Sequence, residues 1–210
     1  MNKKAFIWDL DGTLLDSYEI IVSSLEETIN EMGIFVDREK IAQHVIEYSV
    51  TSFIEKIVPE ADKSFGEIKS RYSEISGSKA LKIKAMPNAA ALLQALCDMK
   101  ALNFVYTHRG KTTEPVLEKL DMKQYFNEIL TSRSGFPRKP SPDAINYIVD
   151  KYNLDKESTF YVGDRSIDVD CAKNAGIKSI LFLQENSYGR KTGYEDFVVK
   201  NLLEIKNIAE

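Results

Sequence analysis

An unbroken apolar run, Ala5-Phe6-Ile7-Trp8, ends in two carboxylates two residues apart, Asp9-Leu10-Asp11-Gly12. A strand without polar alternation is covered on both faces, which points to a parallel sheet wrapped by helices. Ligands of open α/β sheets gather outside the carboxyl ends of the strands. Asp9 and Asp11 fall there, and a carboxylate pair at that spacing suits holding a hard cation and attacking phosphorus. Taken alone, Asp and Gly also open ordinary turns. A calcium loop is excluded, because its fifth and twelfth positions would be Thr13 and Ile20, which lack the expected carboxylates.

Beyond Pro87 the apolar pattern alternates between helical and strand periods. Helices are predicted at 87–99, 114–120, 142–152 and 166–175, and strands at 103–106, 128–130, 159–162 and 179–183. Ser141 reads as a cap ahead of Pro142, and Gly176 as a helix stop. This alternation predicts a parallel sheet wound with helices.

The stretch from about 17 to 80 is helical throughout. Ile21, Leu25, Ile29 and Met32 form one stripe closed by Gly33, and Asp37 caps a second helix with Ile41, Val45 and Ile46 inward. Phe53, Ile54, Ile57 and Val58 mark a third helix ending near Pro59; Phe65, Ile68, Tyr72 and Ile75 mark a fourth, with Gly77-Ser78-Lys79 as the exit. The expected organisation is a Rossmann-like parallel-sheet α/β core from residues 1–15 and 82–210, interrupted by an all-helical cap domain at 16–81.

With 210 residues the chain can bury a core without staples, and its two cysteines, Cys97 and Cys171, read as buried thiols. That fits a reducing, cytoplasmic setting. No apolar run approaches the ~20 residues of a membrane span, and the amino terminus lacks a signal-peptide layout. The 28 basic and 32 acidic residues give a net charge of −4 with no basic block, so neither a membrane nor a nucleic acid is an expected partner.

Four segments converge at the carboxyl edge of the predicted sheet. Asp9 and Asp11 follow the first strand, Thr107 follows Val105-Tyr106, Lys139 lies in the next loop, and Gly163-Asp164 with Asp168 follows Tyr161-Val162. Carboxylates, a hydroxyl and an ammonium match the needs of phosphoryl transfer. In this order the segments Asp9-Leu10-Asp11-Gly12-Thr13, Val105-Tyr106-Thr107, Arg138-Lys139-Pro140-Ser141-Pro142 and Gly163-Asp164-Arg165-Ser166-Ile167-Asp168 resemble the four motifs of the haloacid dehalogenase-like hydrolase superfamily, in its phosphoglycolate phosphatase-like branch with a helical cap.

The resemblance implies a magnesium-dependent phosphatase that hydrolyses a small phosphate ester through an aspartyl-phosphate. Asp9 would be the nucleophile and Asp11 the general acid and base. Mg2+ would be held by Asp9, Asp164 and the Asp11 carbonyl, with Asp168 orienting Lys139 or a metal-bound water from behind. Thr107, His108 and Lys139 would contact the phosphoryl group, Thr107 through its hydroxyl and His108 through its backbone N–H. Arg109, Arg138 and Arg165 stand beside motif residues, where one guanidinium could read a second anionic group.

Related chemistries separate by residue. A dehalogenase has no need of Asp11, and a phosphonate hydrolase needs a cap lysine that Lys40, Lys56 and Lys63 do not supply in a recognisable context. A phosphosugar mutase uses similar groups and stays an alternative. A non-enzymatic phosphate-binding signalling or partner-binding module is the other. A receiver-type module places its acceptor after the third strand, where Thr131-Ser132-Arg133-Ser134 has no Asp, and it has no counterpart of a ~65-residue helical insertion. The branch usually carries a glycine-centred loop between the second and third cap helices; here Val45-Ile46-Glu47-Tyr48-Ser49-Val50 has no glycine, so the substrate is left open.

Overall fold

The computed structural model describes residues 3–184 and 189–210. The chain opens with β1 (Ala5–Trp8) and the two-residue β2 (Leu15–Asp16), followed by four helices: α1 (Tyr18–Asn30), α2 (Arg38–Glu47), α3 (Val50–Ile57) and α4 (Phe65–Lys79). Then come β3 (Lys84–Ala85), α5 (Ala89–Asp98), β4 (Leu102–Tyr106), α6 (Thr113–Lys119) and β5 (Glu128–Leu130). The chain continues through α7 (Asp143–Lys151), β6 (Thr159–Gly163), α8 (Ser166–Ala175), β7 (Lys178–Phe182), β8 (Phe197–Val199) and α9 (Ile205–Ala209). It divides into two compact units, Met1–Asp16 with Lys84–Glu210, and Ser17–Ile83.

In the first unit six strands form one sheet in the order β5-β4-β1-β6-β7-β8, every pairing parallel. β1 lies inside the sheet, and all four of its residues are fully buried. Its neighbours are in register at Trp8, opposite Val105 on one side and Val162 on the other, so the residues that follow β1, β4 and β6 emerge together. On one face Ala5, Ile7, Phe104, Tyr106 and Tyr161 pack with Ala144, Ile145 and Ile148 of α7 and Cys171, Ala172 and Ala175 of α8. On the other, Phe6 stacks on Phe160 at 5.2 Å, while the Trp8 indole N–H donates to Asn103 Oδ1 at 3.0 Å. Each large side chain buried this way contributes about 2 kcal/mol of apolar transfer.

The second unit is built from α1 to α4 around Ile21, Leu25, Ile29, Ile41, Val45, Phe53, Ile54 and Ile68. The Asp37 carboxylate accepts from the Glu39 and Lys40 N–H groups, and Ser64 with Glu67 forms a capping box at the start of α4. Met32, Val58, Phe65 and Tyr72 are only partly buried against that core.

Several expectations are corrected. Gly77-Ser78-Lys79 does not leave the helix: α4 runs through Lys79, with Ser78 donating to the Ile75 carbonyl, and the buried Ile75 and Ala80 hold both sides of the glycine. Ser141 does not cap α7; Pro142 occupies the cap position, and the Ser141 hydroxyl donates to Asp143 instead. Cys97 is only partly buried, whereas Cys171 is buried, and both are free thiols. Two pairings were not expected at all, the antiparallel β2–β3 ribbon and the sixth strand, β8. Among the described residues no helix is long and apolar enough to cross a membrane.

Candidate active site

The chain leaves β1 into a tight turn. Gly12 takes φ +82°, and the Leu10 carbonyl accepts from the N–H groups of Thr13, Leu14 and Leu15 at 3.1, 3.0 and 2.8 Å. A side chain at Gly12 would be strained in that left-handed conformation. The Asp9 N–H donates to the Val162 carbonyl at 2.8 Å, which fixes this residue against the end of β6.

Asp9 and Lys139 form the centre. The Lys139 ammonium lies 3.0 Å from Asp9 Oδ1 and 2.8 Å from Asp168 Oδ1, with its side chain 0% exposed. Asp168 Oδ2 accepts from the Arg165 N–H at 3.1 Å, so both of its oxygens are engaged. Asp9 Oδ2, in contrast, is buried without a hydrogen-bond partner among the described residues. α8 approaches this closely only because residue 163 is glycine: a Cβ there would lie 2.3 Å from the Asp168 Cβ and Cγ.

Charge at this centre follows from burial and neighbours. Burial alone pushes the Asp9 carboxyl up, but Lys139 and then Arg165 outweigh it and hold it below the ordinary carboxylate value. For Asp168 burial dominates and Asp9 repels it, so it is raised despite Lys139. Burial works against the Lys139 charge, yet Asp168 and Asp9 keep its pKa above the usual lysine value.

Asp164 is buried and receives the Thr13 hydroxyl at 3.1 Å, a bond tying the turn after β1 to the end of β6. Oxygens of Asp9, Asp164 and Asp168 all lie within 4.8 Å of one another. An all-oxygen donor set, with one buried carboxylate oxygen unpartnered among the described residues, fits a hard divalent cation and not a soft one. Asp11 is partly exposed and faces Arg109.

Thr107 is buried at the end of β4, where its N–H donates to the Leu130 carbonyl at 3.0 Å and its hydroxyl oxygen accepts from the Arg109 N–H at 3.2 Å. Among the described residues no acceptor takes the hydroxyl proton. The His108 ring turns to the loop before α7, where the Lys139 N–H donates to Nε2 at 2.9 Å. Arg138 Nη2 lies 3.1 Å from Nδ1, so both ring nitrogens face donors, of which a neutral imidazole accepts from one. Burial, with Lys139 and Arg138 nearby, pulls this imidazole down to about 3, so it is neutral at ordinary pH.

The structure thus brings Asp9, Lys139 and Asp168 into direct contact, with Asp164 beside them, while the His108 imidazole is occupied within the protein. Sequence reasoning missed Thr13 as a partner of Asp164 and the rings of Tyr106 and Tyr161, whose only signal was an aromatic residue in each of two strands ahead of a motif.

Residues 6–182 match the model of the haloacid dehalogenase-like hydrolases. The chain belongs to that family. Its relatives include the phosphoglycolate phosphatase of Aquifex aeolicus, 26% identical over 189 residues and covering 86% of this chain and 84% of that protein. A pyrophosphatase of Oceanobacillus iheyensis is 23% identical over 99% of this chain and 97% of its own length. The fold is shared with a crystallised protein of Haemophilus somnus described as a predicted phosphoglycolate phosphatase, at TM-score 0.89 and 21% identity over 100% of this chain and 99% of that one. Within the haloacid dehalogenase-like hydrolases the chain sits in the phosphoglycolate phosphatase-like branch.

Proposed function

We propose that the chain is a magnesium-dependent phosphatase that hydrolyses a small phosphate monoester through an aspartyl-phosphate on Asp9. The observation that carries this reading is the Asp9 carboxylate itself: one oxygen is held by Lys139 at 3.0 Å, and the other is buried with no hydrogen-bond partner among the described residues. Kinship with phosphatases supports it.

Asp9, Asp164 and the Asp11 carbonyl would hold Mg2+, whose charge offsets the repulsion between the Asp9 carboxylate and a phosphate dianion. Asp9, kept ionised by Lys139, attacks phosphorus; the ester P–O bond breaks and its electron pair leaves on the alkoxide. Asp11 gives that oxygen a proton. In the second half, Asp11 takes a proton from water as the water oxygen attacks the phosphoryl group, releasing phosphate and restoring Asp9. The Thr107 hydroxyl donates to a phosphate oxygen, and the Lys139 ammonium opposes the charge that grows in the transition state.

The test is hydrolysis of a panel of phosphate monoesters with and without magnesium, together with mass analysis of quenched enzyme. A phosphoryl adduct on the peptide containing Asp9 is expected. Hydrolysis that proceeds equally well in a chelator, with no adduct at any time, overturns the reading.

A further inference from the structure

The Lys139 ammonium is enclosed by more than its two carboxylates. Its Nζ lies 5.0 Å from the centre of the Tyr161 ring and 5.4 Å from that of Tyr106. The two rings meet edge to face at 6.3 Å and 75°. Both are almost completely buried, and Lys139 stands on the sheet face they share.

The hydroxyls are used elsewhere. Tyr161 donates to the Tyr106 carbonyl at 2.7 Å, and Tyr106 donates to the Pro137 carbonyl at 2.9 Å. A chain of contacts thus runs from β6 to β4, one residue before Thr107, and on to the loop two residues before Lys139. The hydroxyls tie the strands to that loop, while burial in the core holds the rings themselves where they border the ammonium. A lysine has four rotatable side-chain bonds, and two carboxylates on one side leave its other side undetermined. A ring face attracts a cation and gives it no acceptor to bond, so it confines the charge without competing with a phosphate for its protons.

We propose that Tyr106 and Tyr161 are positioning residues for Lys139, their ring faces holding the ammonium against Asp9 during phosphoryl transfer. The proposal rests on the phosphatase reading for its kinetic consequence and on geometry alone for its spectroscopic one. Because the ammonium meets charge that develops in the transition state, losing a ring lowers kcat and spares substrate binding.

The experiment compares Tyr161→Leu and Tyr106→Leu with the corresponding Phe variants. Each Leu variant is expected to lose about 10-fold in kcat with KM changed less than about 2-fold, whereas each Phe variant keeps kcat near wild type. In parallel, the Lys139 ammonium signal is followed by NMR with nitrogen-15 lysine and assigned by its loss in Lys139→Arg. Enclosure by two ring faces shifts its protons upfield in wild type and in Tyr161→Phe, and Tyr161→Leu moves them back. Leu variants with full kcat, equal losses in the Leu and Phe variants, or an unshifted wild-type signal overturn the proposal. If the Leu variants do not fold, the signals of wild type and the Phe variants decide. Wild type inactive on every ester fails the phosphatase reading and leaves the NMR result to judge the rings.

Discussion

Arg109 Nε stands 3.5 Å from Asp11 Oδ1, and both atoms are buried without a hydrogen bond to any described group. The pair is held by charge alone, so the Asp11 carboxylate is aimed without being locked, which suits a group that must give a proton and then take one. Arg109→Ala is expected to slow hydrolysis of alkyl phosphates about 10- to 100-fold, since their alkoxides need the proton. It should slow p-nitrophenyl phosphate far less, because that leaving group is stable as an anion. Rates on a series of esters of graded leaving-group acidity check this; equal losses on all of them would detach Arg109 from the acid step.

Asp9→Asn is expected to remove at least ~1,000-fold of the activity while the protein stays folded. Lys139 keeps its 2.8 Å contact with Asp168 in that variant, so the ammonium is not left alone. Asp11→Asn has a different signature. With p-nitrophenyl phosphate the first half needs no acid, so one equivalent of nitrophenolate should be released in a burst, followed by a stall with Asp9 phosphorylated. Replacing magnesium with calcium should inhibit, because calcium's longer and looser coordination misplaces the reacting groups. Stopped-flow absorbance and quenched-flow mass analysis read these outcomes.

Thr13→Val keeps the shape of a buried residue and deletes its 3.1 Å bond to Asp164. A carboxylate that loses its orienting partner binds a metal more weakly, by about 10-fold. The expected result is a higher magnesium requirement with kcat recovered at saturation. A magnesium titration of rate that is identical for the two proteins would show that Thr13 serves only packing.

His108 should make the fold sensitive to acid. Its native pKa is lowered to about 3 by burial, with Lys139, Arg138 and Arg165 adding to the effect and Asp9 opposing it. The unfolded ring titrates near the ordinary value of 6.5. Between those values the unfolded chain binds the extra proton, so the stability this histidine preserves is complete above about pH 6.5 and falls as the pH drops, by at most ~1.4 kcal/mol per pH unit. His108→Asn removes the titration. Urea midpoints from about pH 7 to about pH 4 should fall more steeply for wild type than for the variant, since the acid response of the carboxylates is common to both. Parallel slopes would refute the depressed imidazole.

What could be read in advance follows physical lines. β1 was legible because four apolar residues in a row have no other use than burial, α2 because Asp37 is a strong cap, and α4 because Phe65, Ile68, Tyr72 and Ile75 recur at helical spacing. Asp9, Thr107, Lys139 and Asp164 were legible because each ends or follows a strand of one sheet edge. The β2–β3 ribbon was not, since two residues cannot display a period, and β8 is only three residues long. The contacts of Tyr106 and Tyr161 with Lys139 were hidden for another reason: alternation gives each ring a face of the sheet, but not the loop that folds over that face.

Specificity is expected to lie in the helical insertion. The core motifs would hold only the phosphoryl group, which every substrate shares, so discrimination must come from groups touching the variable leaving part. At the junction of α2 and α3, Ser49 is already spent: its hydroxyl caps α3 by accepting from the Ser52 N–H at 3.0 Å. His44 is held by Ser52 at 3.1 Å and packs near Tyr48 and Phe53. Arg71, an alternative reader of anions, is tied to Glu31 by two bonds of 2.7 Å. Glu47 and Tyr48 remain exposed, Tyr48 by 56%, with an acceptor and an apolar ring to offer. The double variant Glu47→Ala, Tyr48→Ala should therefore reorder kcat/KM across a panel of phosphate esters by about 10-fold or more while leaving p-nitrophenyl phosphate within about 2-fold, one lost contact being worth that much discrimination. An unchanged ranking would remove the junction from substrate choice and turn the search to Arg138 and Arg165 beside the core motifs.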